Sequence, residues 1–211
     1  MFESERKELV EKLRKKGITD ENVLSAIQKI ERHKFVSSAM VMNAYKDVAL
    51  PIACGQTISQ PYTVAFMTQE LKIKPGYKIL EIGTGSGYQA AILLEMGCNV
   101  FSIERNIEIL NQTQKLFEKL NLRAYLKYGD GTIGIDEFAP FDGIIVTAGS
   151  PSIPKTLLKQ LNIGARMVIP VGDRDSQIIK IVTKINENDF KIEDAPYFAF
   201  VPLIGREGWR D

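Results

Sequence analysis

The sequence predicts a doubly wound α/β fold: a mostly parallel sheet covered by helices, with antiparallel strands at its C-terminal end and a helical N-terminal extension. Three observations carry this. From residue 77, short apolar runs alternate with amphipathic ones, the signature of repeated β-α units. A glycine-rich turn, Gly83-Thr84-Gly85-Ser86-Gly87, directly follows the first apolar run. After residue 176 the apolar period shortens to two, as an antiparallel hairpin requires.

The elements follow in order. Leu9, Val10 and Leu13 at helical spacing among charges predict a helix over 4–16. Thr19 and Asp20 suit a cap, and Val23, Leu24, Ile27 and Ile30 form the apolar face of a second helix. Residues 31–62, with Pro51, Gly55 and Pro61, read as a long irregular segment, and such loops usually carry function. Val64 to Leu71 predicts a helix closed by the turn Lys74-Pro75-Gly76. Strands are expected at 78–82, 99–103, 124–128, 141–148 and 167–171, with helices at 88–96, 107–120 and 154–161 between them. A hairpin pairs 177–185 with 190–193 across the turn Asn186-Glu187-Asn188-Asp189, and 197–203 reads as a last strand-like run before a tail.

The 211 residues suit one domain with three parts. These are a helical extension and loop over 1–62, a core over 63–175, and C-terminal strands and tail over 176–211. Hydrophobic residues make up 45% and charged residues 25%, which excludes disorder, collagen-like repeats and coiled coils. A net charge of +1 gives no overall attraction to nucleic acid or to an anionic membrane. The N-terminus is charged from Glu3 and lacks a signal-peptide core, no run is long enough to span a membrane, and the expected location is the cytoplasm. Two cysteines and one histidine are too few for a disulfide scaffold or a Cys/His zinc site, so no metal is expected. Cys54 and Cys98 are read as buried, His33 as structural, and Arg14-Lys15-Lys16 as a solvated helix end.

The glycine turn has a chemical meaning. Glycines between a strand and a helix let a ligand approach the backbone closely. Glu104, at the end of the next strand, is placed to accept both hydroxyls of a ribose. Asp130 and Gly131 follow the third strand. All three positions lie at carboxyl ends of strands, where doubly wound, Rossmann-like sheets bind ligands. The dinucleotide fingerprint would place glycine where Tyr88 stands, and no Gly-Lys-Ser/Thr follows for a phosphate loop. An adenosine-type ligand remains.

The run LEIGTGSGY resembles the first motif of S-adenosylmethionine-dependent methyltransferases. Together with GQTISQPYTVAFMTQEL at 55–71, SIERN at 102–106, YGDGTIG at 128–134, FDGIIVTAG at 141–149 and FVPLIGREGW at 200–209, it resembles the protein-L-isoaspartate O-methyltransferase family over most of the chain. The resemblance implies the Rossmann-like methyltransferase fold. It also implies methyl transfer from S-adenosylmethionine to the free α-carboxylate of L-isoaspartyl residues, leaving S-adenosylhomocysteine. The methyl ester then closes to a succinimide, and hydrolysis returns some normal aspartate. The implied partners are proteins and peptides carrying isoaspartate. Gln56, Thr57, Ile58, Ser59, Glu81, Gly83, Thr84, Gly85, Ser86, Gly87, Glu104, Arg105, Asp130 and Gly131 are expected around the cofactor. Ser59, Val201, Pro202 and Leu203 are expected around the substrate, with Ser59 orienting the carboxylate. One departure is local: Ile30-Glu31-Arg32-His33-Lys34-Phe35-Val36-Ser37 lacks the two prolines that the family often has there.

The scarcity of histidine fits this chemistry. A carboxylate with a pKa near ~4 is already ionised at neutral pH and needs no general base. A site that aligns nucleophile and methyl donor and excludes water suffices. Two other readings keep the cofactor loop: a methyltransferase acting on RNA or a small molecule, and a non-catalytic binder. The first is opposed by the near-zero charge and by Val146-Thr147-Ala148-Gly149 where an amine-methylating motif would stand, the second by the intact Ser59.

Overall fold

In the computed structural model, which describes residues 2–210, two helices open the chain. Helix α1 (Glu3–Lys15) buries Leu9, Val10 and Leu13, and helix α2 (Glu21–Lys29) buries Val23, Leu24, Ala26 and Ile27. The Asp20 carboxylate caps α2, accepting from the N–H groups of Asn22 and Val23. The segment expected to be irregular contains three 3₁₀ turns and a minimal hairpin, β1 (Leu50–Pro51) against β2 (Thr57–Ile58). Helix α3 (Pro61–Leu71) starts earlier than its apolar spacing suggests. Pro61 stands in its first turn, where a missing N–H costs nothing.

Seven strands form the central sheet: β3 (Lys78–Ile82), β4 (Asn99–Glu104), β5 (Tyr125–Tyr128), β6 (Phe141–Val146), β7 (Leu161–Gly172), β8 (Gln177–Lys184) and β9 (Phe190–Phe198). Their spatial order is β5-β4-β3-β6-β7-β8-β9. The first five run parallel, and β8 and β9 are each antiparallel to their neighbour. Helices α4 (Tyr88–Glu95), α5 (Ile107–Leu120) and α6 (Lys155–Lys159) make the crossovers. Alternate side chains supply two cores. Ile79 and Ile145 join α1–α4 on one face, while Leu80 and Ile144 meet Phe141, Leu157 and Met167 on the other. The strand order reverses between β3 and β6, the switch point at which open α/β sheets leave a crevice.

Three boundaries differ from expectation. Helix α6 is confined to five residues because β7 begins at Leu161, where it pairs with Phe141 before a bulge. Strand β9 continues through Asp194-Ala195-Pro196, which read as a break. It is an edge strand, Pro196 falls in a register shift opposite Ile178–Lys180, and edges tolerate proline. Residues 201–203 are therefore not a continuation of 197–198; they bond instead to Gly149 beyond β6. The basic helix end is also less solvated than expected, since Lys16 pairs at 2.5 Å with Asp47, whose side chain is buried. No helix among the described residues is long and apolar enough to cross a membrane.

The Asp20 cap fastens α2 to the turn before it. Replacing Asp20 by Ala is expected to lower stability by about 1 kcal/mol, read by denaturant unfolding, whereas Asp20→Asn, which keeps the capping oxygen, should keep most of the wild-type stability.

Candidate active site

At the carboxyl ends of β3, β4 and β6 the strands part around a cavity of about 640 Å³, a size that holds cofactor-sized ligands. Its floor is the turn after β3. Gly83 and Gly87 both take positive φ, +96° and +83°. A Cβ on Gly83 would lie 2.5 Å from Thr147 Oγ1, and one on Gly87 2.5 Å from Phe117 Cε1. Glycine at 83 thus lets the chain leave β3 beside β6, and glycine at 87 lets α5 pack under the start of α4. Thr147 Oγ1 donates to the carbonyls of Ile82 at 2.9 Å and Gly83 at 2.7 Å, pinning the exit. Gly83, Thr84, Gly85 and Ser86 line the cavity, whereas Gly87 stands behind them.

Glu104, 7% exposed, closes β4 and faces the cavity. One carboxylate oxygen accepts from the Gly85 N–H and the other from the Asn106 N–H, both at 2.9 Å. Each oxygen keeps a lone pair for a ligand, so the group is held in one orientation and still suits a diol. Arg105 lines the same wall.

Glu81 and Asp130 are placed differently from the sequence expectation. Ile82 lines the cavity, so strand alternation turns Glu81 into the interior, where it is fully buried. Ser102 Oγ donates to its Oε2 at 2.5 Å and shares a 2.7 Å bond with Thr84 Oγ1, while Oε1 has no hydrogen-bond partner. Burial, reinforced by the nearby charge of Glu104, pushes the Glu81 carboxyl up to about 8 and outweighs the Ser102 bond. It is therefore mostly protonated at pH 7. Asp130 lies behind Gly131, which does line the cavity. Its Oδ1 accepts from Thr132 N–H and Oγ1–H, and its Oδ2 from the Arg206 N–H at 2.7 Å, so it fastens the C-terminal tail.

The opposite wall comes from the small hairpin. Gln56, Thr57, Ile58 and Ser59 all line the cavity, and among the described residues no hydrogen bond engages the Ser59 hydroxyl. Val201, Pro202 and Leu203 complete the rim. The Gly149 N–H donates to Val201 and the Leu203 N–H donates to Gly149, both at 2.8 Å. Trp209 Nε1 donates to the same Gly149 carbonyl at 3.0 Å.

His33 lies away from this site, with its Nδ1 2.7 Å from the Tyr45 hydroxyl and its ring against Phe2. Cys54 is exposed rather than buried, at a φ of +55° beside Glu108. Cys98 is buried, and burial pushes its thiol up to about 11. Thr147 and Ala148 line the cavity without having been singled out, although the strand-end rule that marked Glu104 applies to them equally. Met67, Gln89, Arg174 and Arg210 also line it. They come from helix faces and from loops far along the chain, which no local pattern marks. Among the described residues, no cluster of three or more His, Cys, Asp or Glu side chains could hold a metal.

The family model described as protein-L-isoaspartate(D-aspartate) O-methyltransferase matches residues 4–208. The chain belongs to this family. A protein-L-isoaspartate O-methyltransferase of Cytophaga hutchinsonii is 49% identical over 97% of this chain and 92% of its own. One of Flavobacterium psychrophilum is 52% identical over 94% of this chain and 93% of its own. A solved protein-L-isoaspartate O-methyltransferase superposes with a TM-score of 0.87 at 28% identity, over 96% of this chain and 67% of that one. A Plasmodium falciparum protein described under the same activity, solved with S-adenosyl-L-homocysteine, shares the fold. Its TM-score is 0.82 at 24% identity, over 94% of this chain and 98% of its own.

In this methyltransferase, Glu81 binds a proton in the folded state that its unfolded counterpart releases above about 4.5. Its contribution to stability therefore falls as pH rises from about 4.5 to about 8. Glu81→Gln is expected to flatten the decline of Tm between pH 5 and 8; an unchanged slope contradicts a neutral Glu81.

Proposed function

We propose that the protein transfers a methyl group from S-adenosylmethionine to the free α-carboxylate of L-isoaspartyl residues in damaged proteins. The observation that carries this reading is the unengaged Ser59 hydroxyl, on the wall of the cavity whose floor is the glycine turn and Glu104. Family membership gives the same reaction class.

The residues fit the cofactor. Glu104 is oriented by two backbone bonds and faces the cavity, so it is assigned to the ribose hydroxyls. Gly83, Thr84, Gly85 and Ser86 supply the backbone surface, Gly131 the adenine end, and Gln56, Thr57 and Ile58 the cover. Arg105 borders the ribose side. Glu81 supports Thr84 through Ser102, and Gly87 and Asp130 support the walls from behind. S-adenosylmethionine supplies a methyl group on a positively charged sulfur. The acceptor carboxylate arrives ionised, and Ser59 Oγ–H donates to one of its oxygens so that the other points along the line of transfer. Val201, Pro202 and Leu203 hold the peptide main chain and close the site to water. Negative and positive partners neutralise each other in the reaction, so a dry, apolar wall favours it. The released ester then cyclises to a succinimide.

The near-zero net charge suits partners of either sign and argues against nucleic acid or membrane as a target. Two free cysteines, Cys54 and Cys98, support the cytoplasm as its place of action.

Labelled S-adenosylmethionine and an isoaspartyl peptide should give a base-labile methyl ester that the aspartyl twin does not give. No ester on the isoaspartyl form overturns the reading. Ser59→Ala is expected to cut kcat roughly tenfold to a hundredfold with little change in cofactor affinity. Glu104→Ala should weaken cofactor binding by about tenfold or more, measured by calorimetry with S-adenosylhomocysteine.

A further inference from the structure

Arg32 is fully buried, in the short 3₁₀ turn Arg32–Phe35 of the N-terminal extension. Its guanidinium reaches three carbonyls, two in the 44–48 turn and one at Ser59. Nη1 donates to Ala44, and Nη2 donates to Val48 at 3.2 Å and to Ser59 at 3.0 Å. Nε has no partner. The guanidinium carbon sits 5.7 Å from the centre of the ring of Tyr88, a residue that borders the cavity.

No carboxylate pairs with Arg32 among the described residues. The one acid near it, Asp47, is engaged by Lys16 and by the Tyr62 N–H. Arginine stays protonated in proteins, and a buried charge without a counter-ion is costly. Burial does pull its pKa below the ordinary value, yet no alternative protonation relieves the cost. The positive charge thus sits against the carbonyl of the very residue assigned to orient an anion.

We propose that Arg32 is a positioning residue with two effects: it staples Ser59 to the 44–48 turn through the Ser59 carbonyl, and its unpaired charge makes the Ser59 side of the cavity selective for an ionised carboxylate. The charge acts on binding rather than on the chemical step. The acceptor loses its charge as the methyl is transferred, so a cation beside it stabilises the bound substrate more than the transition state. Loss of the charge raises KM, whereas loss of the staple lowers kcat.

The inference rests on the isoaspartyl reading, and the two fail separately. Two peptides are compared in the presence of S-adenosylhomocysteine: one with an isoaspartyl α-carboxylate, the other with the α-carboxamide, equal in shape and uncharged. Wild type is expected to bind the carboxylate about tenfold tighter or more. Arg32→Gln should bring that ratio close to one, with carboxamide and S-adenosylhomocysteine affinities within about twofold of wild type. Arg32→Lys keeps the charge but cannot reach three carbonyls, so it should keep most of the ratio and lose kcat. A wild-type ratio near one overturns the proposal even if no variant folds. So does an equal loss for both peptides in Arg32→Gln, or a fall in cofactor affinity alongside it. Wild-type turnover on the isoaspartyl peptide with no charge discrimination defeats this inference alone; no turnover defeats the reading beneath it.

Discussion

The Glu104 carboxylate bridges two backbone turns, and much of the site depends on that bridge. One oxygen holds the Gly85 N–H and the other holds Asn106, so the turn after β3 and the turn after β4 move as one piece. Asn106 in turn caps α5 through Glu108 and Ile109, and α5 packs Thr113 and Phe117 against the glycine at 87. A single acid at a strand end thus couples the floor of the cavity, one wall and the helix beneath. Charge-assisted bonds to backbone N–H groups are well suited to this, because they fix orientation without closing off the remaining lone pairs.

The parallel half of the fold was legible because its signals are local. A strand that ends in Gly83-Thr84-Gly85-Ser86-Gly87 has few uses, and Glu104 follows it at the spacing that a ribose requires. The C-terminal third was legible only in outline. Asp194-Ala195-Pro196 has the composition of a turn, and only its place at the edge of the sheet lets the strand run through it. Glu81 and Asp130 carried the right residue types at the right strand, yet one faces inward and the other backs the wall. Alternation turns Glu81 inward only because its neighbour Ile82 faces the cavity, and no spacing records which of the two does so. Arg32 was illegible for a different reason: its burial is decided by carbonyls 12 to 27 residues further along the chain.

The surface charges contribute little to this organisation. Lys7–Glu3, Arg14–Glu11 and Lys191–Glu193 are exposed pairs of the kind that solvent screens and that add little. The polar groups that matter are inside and are bonded mainly to backbone: Arg32 to three carbonyls, Thr147 to two, Asp47 to the Tyr62 N–H. Lone histidine and scarce cysteine are consistent with a protein whose specificity is built from such fastenings rather than from titrating side chains.

The main chain of the rim formed by Val201, Pro202 and Leu203 is fastened through the N–H and carbonyl of Gly149. Pro202 has no N–H to give, and the pattern does not ask for one. Leu203 is buried in the core and Val201 packs against it, whereas the exposed Pro202 side chain has no such duty. Exchange at 202 can reshape what the rim accepts while the rim itself stays in place, so this position is where the molecule has room to diversify.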